Sequence, residues 1–151
     1  MSAKGGKTVR LNQPEIWESS EPDYTGKCPK CLVEPFIDGT YVKFNSNSGY
    51  ADDEYAYMQA LSHFTYHFTN GQFVVCDLQG RRYSDRYVLT DPAVLSESKE
   101  FGPTDLGKPG IDNFFKYHKC GKWCQPDWQR PAAKPDLPHF RPVMATTFIL
   151  R

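Results

Sequence analysis

Phe73-Val74-Val75-Cys76-Asp77-Leu78-Gln79-Gly80 decides how this chain is read. Four apolar residues in a row, bounded by Asn70-Gly71 on one side and Gly80 on the other, predict a strand over Gln72 to Leu78 that is buried on both faces. Its end is polar. Strand alternation puts Asp77 and Gln79 on one face. A carboxylate and an amide oxygen at a strand end are hard donors suited to magnesium. Asp91, in Leu89-Thr90-Asp91-Pro92, offers a second carboxylate. Carboxylates that converge on a metal–nucleotide are what phosphoryl transfer needs, one of them orienting the attacking hydroxyl. Read singly, Asp77 and Asp91 are equally turn formers at strand ends.

On the N-terminal side of this stretch, Asp52 to Thr69 predicts a helix. Asp52 or Asp53 caps it, Tyr57, Leu61, Phe64 and Phe68 form its apolar face, and Asn70-Gly71 stops it. Before it lies a polar loop from Asn45 to Gly49. Earlier still, Leu32, Val33, Phe36 and Ile37 make a buried strand-like run. A turn at Asp38-Gly39 leads from it into Tyr41–Phe44, which predicts a hairpin. Residues 1–27, broken by Pro14, Pro22 and glycines, read as loop or as the remnant of a larger element.

On the C-terminal side, Gly80 to Tyr87 reads as a basic polar loop and Tyr87-Val88-Leu89 as a short strand. Residues 91–110 read as mostly irregular. Ile111 to Lys119 predicts a helix with Ile111, Phe114, Phe115 and His118 on one side. Five of the twelve prolines fall between Gln125 and Pro142, which predicts an extended tail. Gly102–Gly107 is a glycine-containing candidate for an anion loop, although Asp105 would repel phosphate.

His118-x-Cys120-x3-Cys124 places three zinc-type donors within seven residues. A structural zinc site needs a fourth. His63 or His67, one helical turn apart, can supply it. Cys28-x2-Cys31 could instead complete an all-cysteine site with Cys120 and Cys124, or simply stand idle in a turn before a strand. The five cysteines, an odd number, suit metal ligands or buried thiols better than a disulfide framework.

Bulk composition narrows the function. Eighteen Lys and Arg balance eighteen Asp and Glu, so there is no basic excess for a sequence-independent grip on nucleic acid. No apolar run approaches the roughly 20 residues that cross a bilayer, and Met1–Arg10 lacks the apolar core of a signal peptide. The expectation is one soluble domain, intracellular and cytoplasmic, with no nucleic-acid or membrane partner.

Taken together, the segments resemble the alpha-type (atypical) protein kinases. The resemblance is carried, in order, by Val33-Glu34-Pro35-Phe36-Ile37 and Tyr41-Val42-Lys43-Phe44-Asn45, by Gln59–Tyr66, by Phe73–Gly80, by Leu89–Pro92, by Phe101–Phe114 and by His118-x-Cys120-x3-Cys124. It implies an α+β fold like the C-terminal lobe of that family, with antiparallel strands packed on helices and a structural zinc site. It implies ATP-dependent transfer of a phosphoryl group to Ser/Thr hydroxyls of a protein substrate.

By the same resemblance, Asp77 is the catalytic aspartate, and Gln79 and Asp91 hold Mg2+–ATP. The backbone of Glu34, Pro35 and Phe36 is the hinge that meets adenine. Gly102–Gly107 lies near the peptide substrate. His63 is the fourth zinc ligand beside His118, Cys120 and Cys124.

Only about 30 residues precede the hinge, where the family places an N-terminal lobe with an ATP-gripping lysine. Lys4, Lys7 and Lys27 match none. The N-lobe is therefore expected to be largely missing, with 1–30 a remnant, 31–124 the C-lobe and 125–151 the proline-rich tail. Arg81, Arg82, Asp85 and Arg86 lie in a stretch longer than usual, and Asp105 stands where the family usually has Asn. The alternative is a catalytically inactive, zinc-stabilised protein-binding module.

Overall fold

Hydrogen bonding and burial assign the elements in a computed structural model, which describes residues 7–132 and 140–144. In chain order these are β1 (Thr8–Leu11), β2 (Glu15–Glu18), β3 (Lys30–Val33), β4 (Val42–Lys43), a 3-10 turn (Asp53–Tyr55), α1 (Ala56–Phe68), β5 (Phe73–Cys76), β6 (Gln79–Arg82), β7 (Arg86–Thr90), β8 (Ala93–Ser96) and α2 (Gly107–Tyr117). They fall into two compact units. One holds the chain up to Tyr41 together with Gly80–Thr90, and the other holds Val42–Gln79 and the chain from Asp91 onward.

In the first unit β1 runs parallel to β7, from Thr8 opposite Arg86 to Leu11 opposite Leu89. β2 and β3 form an antiparallel ribbon with Trp17 opposite Cys31. Four sequence expectations change here. Residues 8–11 and 15–18 are strands, because they find partners that the polar composition did not disclose. Leu32 and Phe36 are 63% and 91% exposed, so the apolar run that ends at Ile37 is not a core strand. No hairpin forms on Asp38-Gly39: β3 pairs back with β2, and Gly39 (φ +81°) bends the chain where the Arg81 guanidinium occupies the space of a Cβ. Gly80–Tyr87 is no loop but strand, turn and strand, closed by Tyr83 N–H donating to the Arg86 carbonyl at 2.8 Å. A side chain at Gly80 would collide with the Val88 carbonyl, so the tight pairing requires glycine there.

The second unit contains an apolar core. β5 and β8 pair antiparallel, with Val74 opposite Leu95 and Cys76 opposite Ala93. These four residues pack with Leu106, Ile111, Phe114 and Phe115. The predicted α2 face therefore stands, and the helix begins earlier, at Gly107. A Cβ at Gly110 would lie 2.9 Å from Leu95 Cδ2, so the absence of a side chain lets α2 approach β8 closely. β8 lies in a stretch read as irregular; its four residues were too few to show a period. β5 buries Val74 and Cys76 and leaves Phe73 and Val75 half-buried, so it alternates and is not covered on both faces.

The predicted stop holds, with Asn70 and Gly71 at positive φ, whereas Asp52 caps the 3-10 turn before α1, accepting from Glu54 N–H at 3.0 Å, and α1 itself starts at Ala56 without a side-chain cap. Its inward face differs from the expectation. Met58, Gln59, Ala60, Ser62 and His63 are buried, while Phe68 is 73% exposed. The aromatic stripe is only flanked, by Trp123 against Tyr57 and by Trp128 against Phe64, with centroids 5.3 and 5.4 Å apart.

Residues 45–48, in the stretch expected to be a polar loop, are fully buried. Their polar groups are matched one by one. Asn113 donates to the Ser48 carbonyl at 2.6 Å and makes a two-way pair with the Phe140 backbone, 3.0 Å to its carbonyl and 3.1 Å from its N–H. Ser48 Oγ accepts from Val143 N–H at 3.0 Å, which seats the described end of the tail on this unit. The rest of the proline-rich tail, 133–139 and beyond 144, lies outside the described residues. Among the described residues no helix is long and apolar enough to cross a membrane.

Candidate active site and metal centre

β5 stops at Cys76 because Asp77 takes a left-handed conformation, φ +57°. Alternation consequently does not govern Asp77 and Gln79: a kink separates them, and β6 begins at Gln79. The kink turns the Asp77 side chain inward, where it is 1% exposed and its Oδ1 lies 2.6 Å from Lys43 Nζ. Lys43, on β4, is itself only 13% exposed. Burying a carboxylate costs hydration that a close partner has to offset, and this lysine is that partner.

Asn45 holds the kink. Its Oδ1 accepts from Leu78 N–H at 2.9 Å, and its Nδ2 donates to Ser62 Oγ at 2.9 Å and to Gln59 Oε1 at 3.2 Å. Phe44 N–H donates back to the Leu78 carbonyl at 2.8 Å, and Gln59 Nε2 donates to the Phe44 carbonyl at 2.8 Å. The turn that carries Asp77 is thus clamped to the strand that carries Lys43 and to α1. Gln79 Nε2 donates to the Asp91 carbonyl at 3.2 Å, which joins two of the expected nucleotide-binding residues. Asp91 is exposed, with φ +46°.

Sequence reasoning passed over Lys43, Asn45 and Gln59. Lys43 gave no signal: between Val42 and Phe44 in an alternating strand it falls on the opposite face, where a lysine ordinarily meets solvent. Asn45 and Gln59 carried none beyond polarity.

In the first unit, the Glu34–Phe36 segment is fastened through its own polar groups. Asn12 Nδ2 donates to the Pro35 carbonyl at 2.9 Å and to Glu34 Oε2 at 3.2 Å, and Thr90 Oγ1 also donates to Glu34 Oε2. The 102–107 loop is not an open anion loop. Asp105, 2% exposed, takes its donors: Ser96 N–H (2.9 Å), Ser96 Oγ (2.6 Å), Gly107 N–H (2.9 Å) and Phe101 N–H (3.3 Å). The loop is built around its own carboxylate.

At the far end of α1 a second polar constellation forms. His63, His118, Cys120 and Cys124 each offer one donor atom, and the four atoms lie within 4.8 Å of one another. His63 Nδ1 is 3.2 Å from His118 Nε2 and 3.4 Å from Cys120 Sγ; His118 Nε2 is 3.5 Å from both sulfurs. Tetrahedral zinc with its usual bond lengths has ligand edges of roughly 3.3–3.8 Å, so this donor set fits the ion. His63 Nε2 pairs with the Gln129 carbonyl at 2.9 Å, which leaves Nδ1 free of a proton and aimed inward.

Burial, with His63 and Arg130 adding to it, holds His118 down at about 4, and burial also lowers His63. Burial and the contact with Cys120 push the Cys124 thiol up to about 11. Four metal-type donors crowded together are an arrangement that a cation would stabilise.

His67 is outside the cluster, stacked on Trp128. Cys28 and Cys31 are exposed in the first unit. The Ser19 N–H to Pro29 carbonyl bond, 2.9 Å, prolongs the β2–β3 ladder, and among the described residues neither cysteine belongs to a cluster of three or more metal-type donors.

Comparison with known proteins gives the class to which this arrangement belongs. The sequence profile of the Alpha-kinase family matches residues 1–124. The alpha-protein kinase vwkA of Dictyostelium discoideum is 42% identical over 114 residues, 74% of this chain and 17% of that protein. Eukaryotic elongation factor 2 kinase of Homo sapiens is 40% identical over 106 residues, 68% of this chain and 14% of that protein. The apoenzyme alpha-kinase domain of myosin-II heavy chain kinase A superposes with a TM-score of 0.73 at 34% identity, over 80% of this chain and 47% of that one. The same domain in complex with AMP-PNP gives 0.71 at 35% identity.

The chain belongs to the alpha-kinase family and has its mixed α+β domain fold. It spans about half of the solved alpha-kinase domains it matches and under a fifth of the full-length relatives.

Proposed function

We propose that this chain carries the phosphoryl-transfer residues of an ATP-dependent protein serine/threonine kinase. The observation that carries the reading is the Lys43–Asp77 pair, 2.6 Å and buried, on a turn two residues before Gln79. Asp77 would orient the substrate hydroxyl and take its proton, and Lys43 would sit beside the transferring phosphoryl group, where negative charge has to be offset. Gln79 and Asp91 would hold Mg2+–ATP, the metal neutralising phosphate charge. The backbone of Glu34 to Phe36 would serve as the adenine hinge, with Asn12 fixing it. Gly102–Gly107, kept rigid by Asp105, would face the protein substrate.

The His63, His118, Cys120 and Cys124 cluster would hold a structural Zn2+. All four positions come from the protein, which suits a site that supports folding and takes no part in the reaction.

A second reading is a non-catalytic binding module stabilised by zinc. Calorimetric titration of the purified 151-residue chain with Mg–ATP, with zinc measured on the same sample, separates the two. Saturable binding supports the kinase reading. A folded chain with one zinc and no nucleotide binding supports the module.

A further inference from the structure

We propose that Ser84 is a phosphorylation site, recognised by a serine/threonine kinase that selects arginines two and three positions before its acceptor. Arg81-Arg82-Tyr83-Ser84 provides that spacing in the stretch that none of the roles above uses. The four residues cross the tip of the β6–β7 hairpin. Tyr83 N–H closes the turn onto the Arg86 carbonyl at 2.8 Å, and Arg82, Ser84 and Asp85 are exposed.

Among the described residues the hydroxyl differs from most other seryl hydroxyls, Ser20 being the exception. Ser19, Ser46, Ser48 and Ser96 all use theirs in hydrogen bonds within the molecule. Among the described residues Ser84 forms none, so modification there breaks no existing bond.

A modifying kinase grips its substrate as an extended strand, so the turn must open. Opening costs the bonds that Arg81 and Tyr83 Oη make to Asp38 and that Lys7 Nζ makes to the Tyr83 carbonyl, but no core packing, because the tip contributes no residue to the core. The pairing of β7 with β1, anchored from Arg86 to Leu89, holds the rest of the hairpin in place meanwhile.

The surroundings also suit the product. A phosphoserine carries nearly two negative charges near neutral pH. Arg81 and Arg86 flank the Tyr83 ring, with guanidinium carbons 4.4 and 4.6 Å from its centroid. Arg86 Nη1 lies 3.1 Å from each carboxylate oxygen of Asp85, one residue from the acceptor. A phosphate at 84 competes with Asp85 for Arg86 and gains charge-assisted hydrogen bonds from it.

The transfer itself is an ordinary displacement. Ser84 Oγ attacks the γ-phosphorus of ATP held by the modifying kinase. An Oγ–P bond forms as the bond to ADP breaks, and the hydroxyl proton leaves through that kinase's carboxylate base to solvent. Nothing in the step uses the catalytic capacity of this chain, so its outcome is separable from the function proposed above.

The test incubates the full folded chain with Mg–ATP and a purified kinase of that selectivity, beside a sample without added kinase. Intact mass and peptide mapping should show one phosphate, at Ser84, only where the kinase was added. Ser84→Ala should lose it while keeping the wild-type circular dichroism. Arg82→Ala should slow it by roughly tenfold, the weight of one charge-assisted contact. No incorporation, incorporation unchanged in Ser84→Ala or in Arg82→Ala, or incorporation only into heat-denatured chain, would each overturn the proposal.

Discussion

Asp77 and His118 lie in the same unit, both are buried, and each stands where a regular element stops, yet their surroundings are opposite in kind. Asp77 ends β5 and meets a protein cation, Lys43, at 2.6 Å. The turn around it is cross-linked by Asn45 and Gln59, so the pair is complete within the chain. His118 ends α2, and its Nε2 meets a second imidazole and two sulfurs, a set of metal-type donors. In the reading proposed above, the first constellation serves the reaction and the second holds a cation. The chemistry and the stability of this unit are therefore expected to respond to different perturbations.

The largest effect should come from the cluster. Structural zinc contributes on the order of 10 kcal/mol in small metal-dependent folds, comparable to the whole stability of a domain. Removing zinc with a chelator, or replacing Cys120 and Cys124 by Ser, should abolish the cooperative thermal transition of the second unit. A melting curve followed by circular dichroism, unchanged after verified zinc loss, would erase the distinction between the two constellations.

Acid should act on the same cluster. The folded state holds His118 at about 4, and burial lowers His63, whereas unfolded histidines titrate near 6.5. Between those values the unfolded chain binds more protons, so stability is present above about 6.5 and falls as pH drops toward 4. Protons also compete with the metal for the same donors, in the same direction. Chemical denaturation midpoints that stay flat from pH 7 to 4.5 would contradict the placement of these two imidazoles.

Asn45→Ala should have a middling effect. It strands the Leu78 N–H and the Ser62 and Gln59 side chains, a loss of about 1–3 kcal/mol by urea denaturation, with zinc content unchanged. It should also weaken whatever Asp77 does, because nothing else fixes the kink in the same way. A variant that is destabilised but retains full phosphoryl transfer would show that Asn45 supports the fold alone.

The smallest effect should be at Phe68, predicted from the sequence as a core residue and found 73% exposed. Phe68→Ala should move stability by less than about 1 kcal/mol, against roughly 2–5 for Met58→Ala on the buried face of the same helix.

That last contrast shows where the sequence was legible. α2 was readable because Ile111, Phe114 and Phe115 are apolar and face an apolar core, so period and burial coincide. α1 was readable in extent, from Asp52 and Asn70-Gly71, but not in orientation. Its inward face holds Gln59, Ser62 and His63, which are buried because they serve Asn45 and the His/Cys cluster, and no hydrophobic period marks such residues. Residues 45–48 failed for the same reason: polar side chains looked solvated when they were matched internally. The cluster's donors were named from spacing, and the family resemblance selected His63 over His67. Asp77 was singled out, but its left-handed kink and its partner Lys43 were not, since both depend on contacts across more than thirty residues.

The most direct test measures γ-phosphate transfer to a protein substrate and zinc content on the same preparations of wild type and Asp77→Asn. The account predicts one zinc per chain in both and a loss of transfer in Asp77→Asn of about a hundredfold or more. Transfer retained by Asp77→Asn at the wild-type rate would contradict it, as would a folded, zinc-loaded wild type that transfers nothing.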